Sequence, residues 1–131
     1  MTTLRIASVN GEWMNNWFTS DGMPAAFVPS FKLPGENISN STDKTASKLA
    51  GEIVAIDPDV LAIEEAPSRQ EELDLFVSQY LSGPAGPTYN AILGDSGGAQ
   101  KLAVLYKSDA VTASLAPGDS IKTLLNPWEA D

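Results

Sequence analysis

From Leu4 to Val9 the chain alternates, with Leu4, Ile6 and Ser8 on one side and Arg5, Ala7 and Val9 on the other, which predicts a first strand that stops at Asn10-Gly11. Residues 11 to 42 lose this period and carry Gly22, Pro24, Pro29, Pro34 and Gly35 before a polar run from Asn37 to Thr42, so a long irregular insertion is expected. A helix capped near Thr42 or Asp43 follows, with Leu49, Ile53 and Ile56 on one face, and it ends before Pro58. Val60 to Ile63 reads as a strand. Ser68-Arg-Gln-Glu71 has the spacing of a capping box, and Leu73, Phe76, Val77, Tyr80 and Leu81 then form one helical stripe. Gly83-Pro84 and Gly86-Pro87 end that helix. Strands are expected around Tyr89 to Leu93, Lys101 to Tyr106 and Ala110 to Ala113, the first two separated by a turn at Gly94-Asp-Ser-Gly-Gly98.

This order of elements predicts an α/β layer arrangement whose helices cover one sheet face and leave the other in need of a partner. Each strand is apolar on both sides, as buried strands are, so Ile6 or Ala7, Leu61 or Ile63, and Leu102, Val104 or Tyr106 are expected to supply the second face. The tail from Pro117 to Asp131 departs from the pattern, and its Leu124, Leu125 and Trp128 offer a short helix or an apolar tether.

With 131 residues, 43% of them hydrophobic and 19% charged, the chain has the size and balance of one globular domain. Its lack of cysteine excludes disulfides and thiolate metal sites, and its lack of histidine excludes the usual zinc ligand and the Ser-His and Cys-His catalytic pairs. Any catalysis must use carboxylates, amides, hydroxyls or a metal. The net charge of -9 argues against strong non-specific affinity for nucleic acid, which rests on Lys and Arg neutralising phosphates. No basic region leads into an apolar run at the N-terminus, and no segment approaches the ~18 consecutive apolar residues of a membrane helix. A soluble chain without an export signal is expected, with the cytoplasm as its compartment. Two glycosylation triplets, at Asn37 and Asn40, matter only in a eukaryotic secretory pathway.

The candidate chemistry centres on Asp57-Pro-Asp-Val-Leu-Ala-Ile-Glu-Glu-Ala66, where an apolar strand runs straight into two carboxylates. A hard cation such as Mg²⁺ or Mn²⁺ takes oxygen ligands and is typically held by one or two carboxylates plus water and substrate phosphate. Glu65 suits that demand, with Glu64 beside it. The bland alternative is a solvated acid pair that starts the next helix. Asn10, at the end of the first strand, offers an amide that can orient a metal-bound water or a phosphate oxygen, and equally the first half of an Asn-Gly turn.

Leu4-Arg-Ile-Ala-Ser-Val-Asn10, Asp59-Val-Leu-Ala-Ile-Glu-Glu65 and Gln100-Lys-Leu-Ala-Val-Leu-Tyr-Lys107 together resemble the endonuclease/exonuclease/phosphatase superfamily, also called DNase I-like. The second segment is similar to that family's Asp-Val-Ile-x-x-Gln-Glu motif, with Glu64 where glutamine is usual. The third is similar to its Gln-Arg-hydrophobic-Ala-x-Leu-Tyr strand, with Lys101 where arginine is frequent. The resemblance implies half of a four-layer sandwich, with a mixed or mostly antiparallel sheet and helices on one face. It implies a divalent-metal-dependent phosphoesterase of nuclease or phosphatase type, with Glu65 and Asn10 as metal and catalytic residues and Glu64 as a further ligand.

The family's Asp-x-Asn pair and two histidines belong to the second half of its domain, and this chain has no histidine. The expectation is therefore an N-terminal half that needs a completing half for activity and that pairs through its sheet with that half or, failing that, with a second copy. Arg69 and Lys101 are the cationic candidates for phosphate contact, against the alternative of solvated surface charge, and lysine gives only a point charge where arginine gives a fork. Trp13, Trp17 and Phe18 offer either core packing or an aromatic lip beside the metal. Tyr106 is expected to pack. The substrate remains any of nucleic acid, nucleotide, inositol phosphate or phospholipid. Two other readings stay open: a non-catalytic binding protein that keeps the half-fold, and an acidic α/β domain with no tie to the family.

Overall fold

The computed structural model describes residues 3–94 and 100–114. In chain order its elements are β1 (Ile6–Asn10), a 3₁₀ turn (Met14–Trp17), β2 (Ser30–Phe31), β3 (Asn40–Ser41), α1 (Thr42–Ile56), β4 (Val60–Ala66), α2 (Gln70–Tyr80), β5 (Ser82–Gly83), β6 (Gly86–Pro87), β7 (Asn90–Leu93) and β8 (Lys101–Tyr106). The main sheet runs β1-β4-β8-β7. It is mixed: β1 lies parallel to β4, while β4 with β8 and β8 with β7 are antiparallel. A parallel pair needs a crossover, and α1 provides it.

Register decides which side chains meet the helices. Ala7 pairs with Leu61 and Leu61 with Leu105, while Val9 pairs with Ile63 and Ile63 with Ala103. These positions form the helix-covered face, because Leu61, Ile63 and Leu105 are fully buried in one cluster with Leu49, Ile53, Leu73, Phe76 and Val77. Burial of such a side chain stabilises by roughly 1.5–3 kcal/mol. The strand period of two therefore puts Ala7, Leu61 and Ile63 inside, which corrects the expectation that they are candidates for the second face. That face carries Ile6 and Leu102, which are 70% and 60% exposed. The half-buried Val60, Ala62, Ile92, Val104 and Tyr106 alternate to the same side.

The first helix is capped by Ser41, one residue before the expected cap, whose hydroxyl accepts from the Lys44 N–H at 3.3 Å. Asp57 closes it in the left-handed region, with its N–H on the Ile53 carbonyl at 2.9 Å, and Pro58 follows. At the second helix the expected box from Ser68 to Glu71 is displaced by one residue. Glu72 is the buried carboxylate, and it accepts from the Arg69 N–H at 3.2 Å and pairs with the Arg69 guanidinium at 3.0 Å. Glu71 points to solvent, so burial selects the frame.

Residues 11 to 42 are more ordered than their composition predicts. Met14 and Trp17 are fully buried, Phe18 and Phe27 form a bridge, and β2 pairs with β3. The Trp17 ring packs on Phe31 and Phe76, and Phe27 meets Tyr80 edge-on. Aromatic burial replaces the missing periodicity. Residues 110 to 113 form no strand: the Ala110 and Val111 N–H groups turn back onto the Lys107 carbonyl, at 3.0 and 3.1 Å. Most of the expected 94–98 turn, and the tail from 117 to 131, lie outside the described residues.

Candidate metal and phosphate site

Asn10 is the last residue of β1 and the register partner of Glu64, so the parallel pair delivers both to the same sheet edge. The Gly11 N–H adds one more rung, donating to the Glu64 carbonyl at 2.7 Å. The chain then turns through Glu12 and Trp13, both left-handed, with φ of 53° and 64°. On the neighbouring strand Glu65 is left-handed too, at φ 55°, where the pairing of β4 with β8 slips between Ile63 and Ala66. This is a bulge, and it re-aims one side chain at the strand end.

Of the four non-glycine residues with positive φ among those described, these three share one corner, and the fourth, Asp57, ends α1. Each costs about 1–2 kcal/mol, and strain of this kind gathers at functional sites. Two side-chain hydrogen bonds hold the corner. The Glu65 Oε2 accepts from the Trp13 N–H at 3.0 Å, and the Asn10 Oδ1 accepts from the Glu12 N–H at 2.7 Å. Gly11 is required sterically, because a Cβ there would lie 2.5 Å from Met14 Cγ and 3.1 Å from the Glu65 carbonyl.

The structure thus brings Asn10, Glu64 and Glu65 together on adjoining strand ends. Glu65 keeps its second carboxylate oxygen, and the Asn10 oxygen keeps a second lone pair. Two carboxylates and an amide are oxygen donors of the type Mg²⁺ prefers, and they leave most of six positions to water and phosphate. Among the described residues no group of three or more acidic, histidine or cysteine side chains is placed to hold a metal by itself. By donor type alone Asn10, Glu64 and Glu65 match part of such a ligand set.

Lys101 opens β8 opposite Ala66, directly after the bulge. Arg69 is engaged elsewhere: its guanidinium donates to the carbonyls of Met23 at 2.6 Å and Thr19 at 3.3 Å and pairs with Glu72. It clasps the 19–23 loop onto the start of α2, and a phosphate there would compete with those acceptors. Of the aromatic trio, Trp17 and Phe18 are buried core residues, and half-buried Trp13 alone stands at the Glu65 corner.

Sequence reasoning missed what faces Asn10 across the turn. A cavity of about 90 Å³ is lined by Asn10, Glu12, Trp17, Thr45, Lys48 and Glu52. A groove of about 320 Å³ shares Glu12, Thr45 and Lys48 with it and reaches Lys44, Asn40 and Phe31. The available signal was Lys44, Lys48 and Glu52, one turn apart on the polar side of α1. A larger depression of about 640 Å³, bordered by Glu71, Asp74, Tyr89 and Asn90, lies along β7, the sheet edge opposite β1. Comparison of the chain with protein-family models, with curated proteins and with solved structures found no match in any of the three.

Proposed function

We propose that this chain is the N-terminal half of a divalent-metal-dependent phosphoesterase of nuclease or phosphatase type, similar to the endonuclease/exonuclease/phosphatase superfamily. The observation that carries this reading is the strained corner where Glu65, Glu64 and Asn10 meet at the ends of two adjacent parallel strands. Glu65, with Glu64 beside it, would hold Mg²⁺ or Mn²⁺ through carboxylate oxygen. The bound ion would supply charge stabilisation at the phosphate oxygens. Asn10 orients a water or a phosphate oxygen without adding charge, and Lys101 offers a cation beside the bulge. The Trp13 N–H fixes one Glu65 oxygen, so the carboxylate is positioned before any ligand arrives.

The histidines and the Asp-x-Asn pair that position and activate the attacking water in the resembled family are absent from this set, the chain having no histidine. Positioning is what converts a bound metal into an in-line attack. The 131 residues alone are therefore expected to bind Mn²⁺ weakly, to lose that binding in Glu65→Gln, and to leave bis-p-nitrophenyl phosphate intact. Robust Glu65-dependent turnover by the pure monomer would refute the half-site reading, and metal affinity unchanged by Glu65→Gln would refute the metal site.

A second reading, a non-catalytic interaction protein that uses the open sheet face, is favoured by the exposure of Ile6 and Leu102. In that case Glu65 and Asn10 serve only to brace the turn. The two readings part on whether a completing segment restores hydrolysis or merely covers the face.

A further inference from the structure

Asn10 and Gly11 form the only Asn-Gly pair in the chain, and they stand at the strand-end corner. In such a pair the asparagine side chain is open to attack by the peptide nitrogen that follows it, because glycine has no Cβ to hinder the approach. The Gly11 nitrogen would bond to Asn10 Cγ and give its proton to solvent base, while the Cγ–Nδ2 bond breaks and ammonia leaves with a proton from water. The product is a five-membered imide. Water then adds to one imide carbonyl and reopens the ring, leaving aspartate where Cγ is attacked and isoaspartate where the backbone carbonyl is.

The folded corner opposes each requirement of the first step. The Gly11 N–H is the terminal rung between β1 and β4, donating to the Glu64 carbonyl at 2.7 Å, so its proton is held. Gly11 is buried, which keeps solvent base from it. The Asn10 Oδ1 accepts from the Glu12 N–H at 2.7 Å, which fixes the side chain across the turn. Asn10 is also the last residue of extended β1, and extended backbone turns the next nitrogen away from Cγ. Met14 against Gly11 and the Glu65 carboxylate on the Trp13 N–H keep the turn in place. The Asn10 side chain itself is exposed, so the guard lies in the backbone pairing. Gly11 cannot give way to a hindered residue, since Met14 fills the space of a Cβ. The reactive pair is therefore built into the corner.

We propose that Asn10-Gly11 is a self-modification site gated by that rung, intact while the corner is closed and converted to aspartate or isoaspartate when the end of β1 lifts from β4. β1 lies at the edge of the main sheet, and local opening of an edge costs less than global unfolding. The reaction turns such a reversible opening into a covalent mark. Conversion adds a carboxylate beside Glu64 and Glu65, and isoaspartate also inserts a methylene into the backbone, so the original register cannot reform. The gate stands on hydrogen bonds within the chain and is independent of any bound metal.

The test incubates the full chain at mildly alkaline pH, with and without guanidinium chloride, and follows Asn10 by peptide mapping and mass spectrometry. The mass of the fragment carrying Asn10 reports amide-to-acid conversion, and its elution separates isoaspartate from aspartate. The expected result is conversion in denaturant and conversion at least about tenfold slower in the native chain, the ratio being set by the opening equilibrium. Glu65→Ala, which frees the Trp13 N–H, is expected to speed native conversion roughly tenfold, the loss of one hydrogen bond to a charged group. Glu71→Ala, at an exposed acid of α2, should leave the rate unchanged. Should Glu65→Ala fail to fold, wild type decides: across sub-denaturing guanidinium, native conversion should rise in step with hydrogen exchange at the Gly11 N–H. No conversion in denaturant, equal rates in native and unfolded chain, an unchanged rate in folded Glu65→Ala, or conversion indifferent to Gly11 exchange would each overturn the proposal.

Discussion

Glu12 and Gly11 sit side by side in the turn after β1 and respond oppositely to substitution. Glu12 is exposed and left-handed, so Glu12→Gly removes a steric penalty and is expected to stabilise by about 0.5–1 kcal/mol, measured by denaturant unfolding. Gly11→Ala forces a Cβ into Met14 and toward the Glu65 carbonyl, and is expected to destabilise by about 1–3 kcal/mol and to disturb any Mn²⁺ binding. Tyr80, the last residue of α2, donates to the Asp43 carboxylate in the first turn of α1 at 2.8 Å. Burial first, and that carboxylate second, push its phenol up from 10 to about 12. A raised pKa means that the folded state keeps its proton longer. The contribution is therefore complete below pH 10 and is lost as pH climbs toward about 12. Tyr80→Phe should flatten the alkaline limb of a stability-against-pH curve over that window; an unchanged limb would assign it to Tyr89, whose phenol burial also raises.

The elements are joined by a few polar clasps whose strength depends on burial. Arg69 and Glu72 form the strongest test, because the carboxylate is 2% exposed and the guanidinium also ties down Met23 and Thr19. Arg69→Met leaves a buried charge unpaired and is expected to cost about 3 kcal/mol or more, with faster proteolysis in the 19–23 loop. An equal loss of stability in Lys44→Met, on the exposed side of α1, would show that the burial argument misplaces the clasp. The Asp57–Lys107 pair, at 2.6 Å, is an exposed counterpart. Lys107, by hydrogen bond and charge, holds the Asp57 carboxyl below the usual range, so whatever the pair contributes is present above that range and fades as pH falls through it. Helix entry follows the same physics: Ser41→Ala removes a cap and should cost about 1 kcal/mol.

For the molecule as a whole the open sheet face is the dominant feature. Ile6 and Leu102 are largely exposed above the half-buried Val60, Ala62, Ile92, Val104 and Tyr106, and contiguous apolar surface of this kind is uncommon unless it is an interface. The face is expected to pair with a completing half or, without one, with a second copy of the chain. Light scattering should show concentration-dependent association that Ile6→Asp and Leu102→Asp abolish while the helical circular dichroism remains. A monomer at high concentration with both residues intact would contradict this. No helix among the described residues is long and apolar enough to cross a membrane.

The periodicity of the chain was enough to place both helices, the two strands carrying Asn10 and Glu65, and the pair β7 and β8, because burial on one face writes itself into spacing. The buried stripe Leu73, Phe76 and Val77 appears where the pattern put it, and so does α1 up to its end before Pro58. Adjacent acids after an apolar run also marked Glu64 and Glu65 before any geometry was known. Tertiary structure alone decided the rest. The side of the sheet that Ala7, Leu61 and Ile63 face depends on which side the helices cover, and a strand apolar on both sides carries no record of that choice. The ordered loop after β1 follows from aromatic rings meeting residues distant in sequence, which leaves no period. The left-handed turn at Glu65 and the cavity joining Asn10 to Trp17 and α1 arise only when separate segments pack, so single-segment patterns could not have carried them.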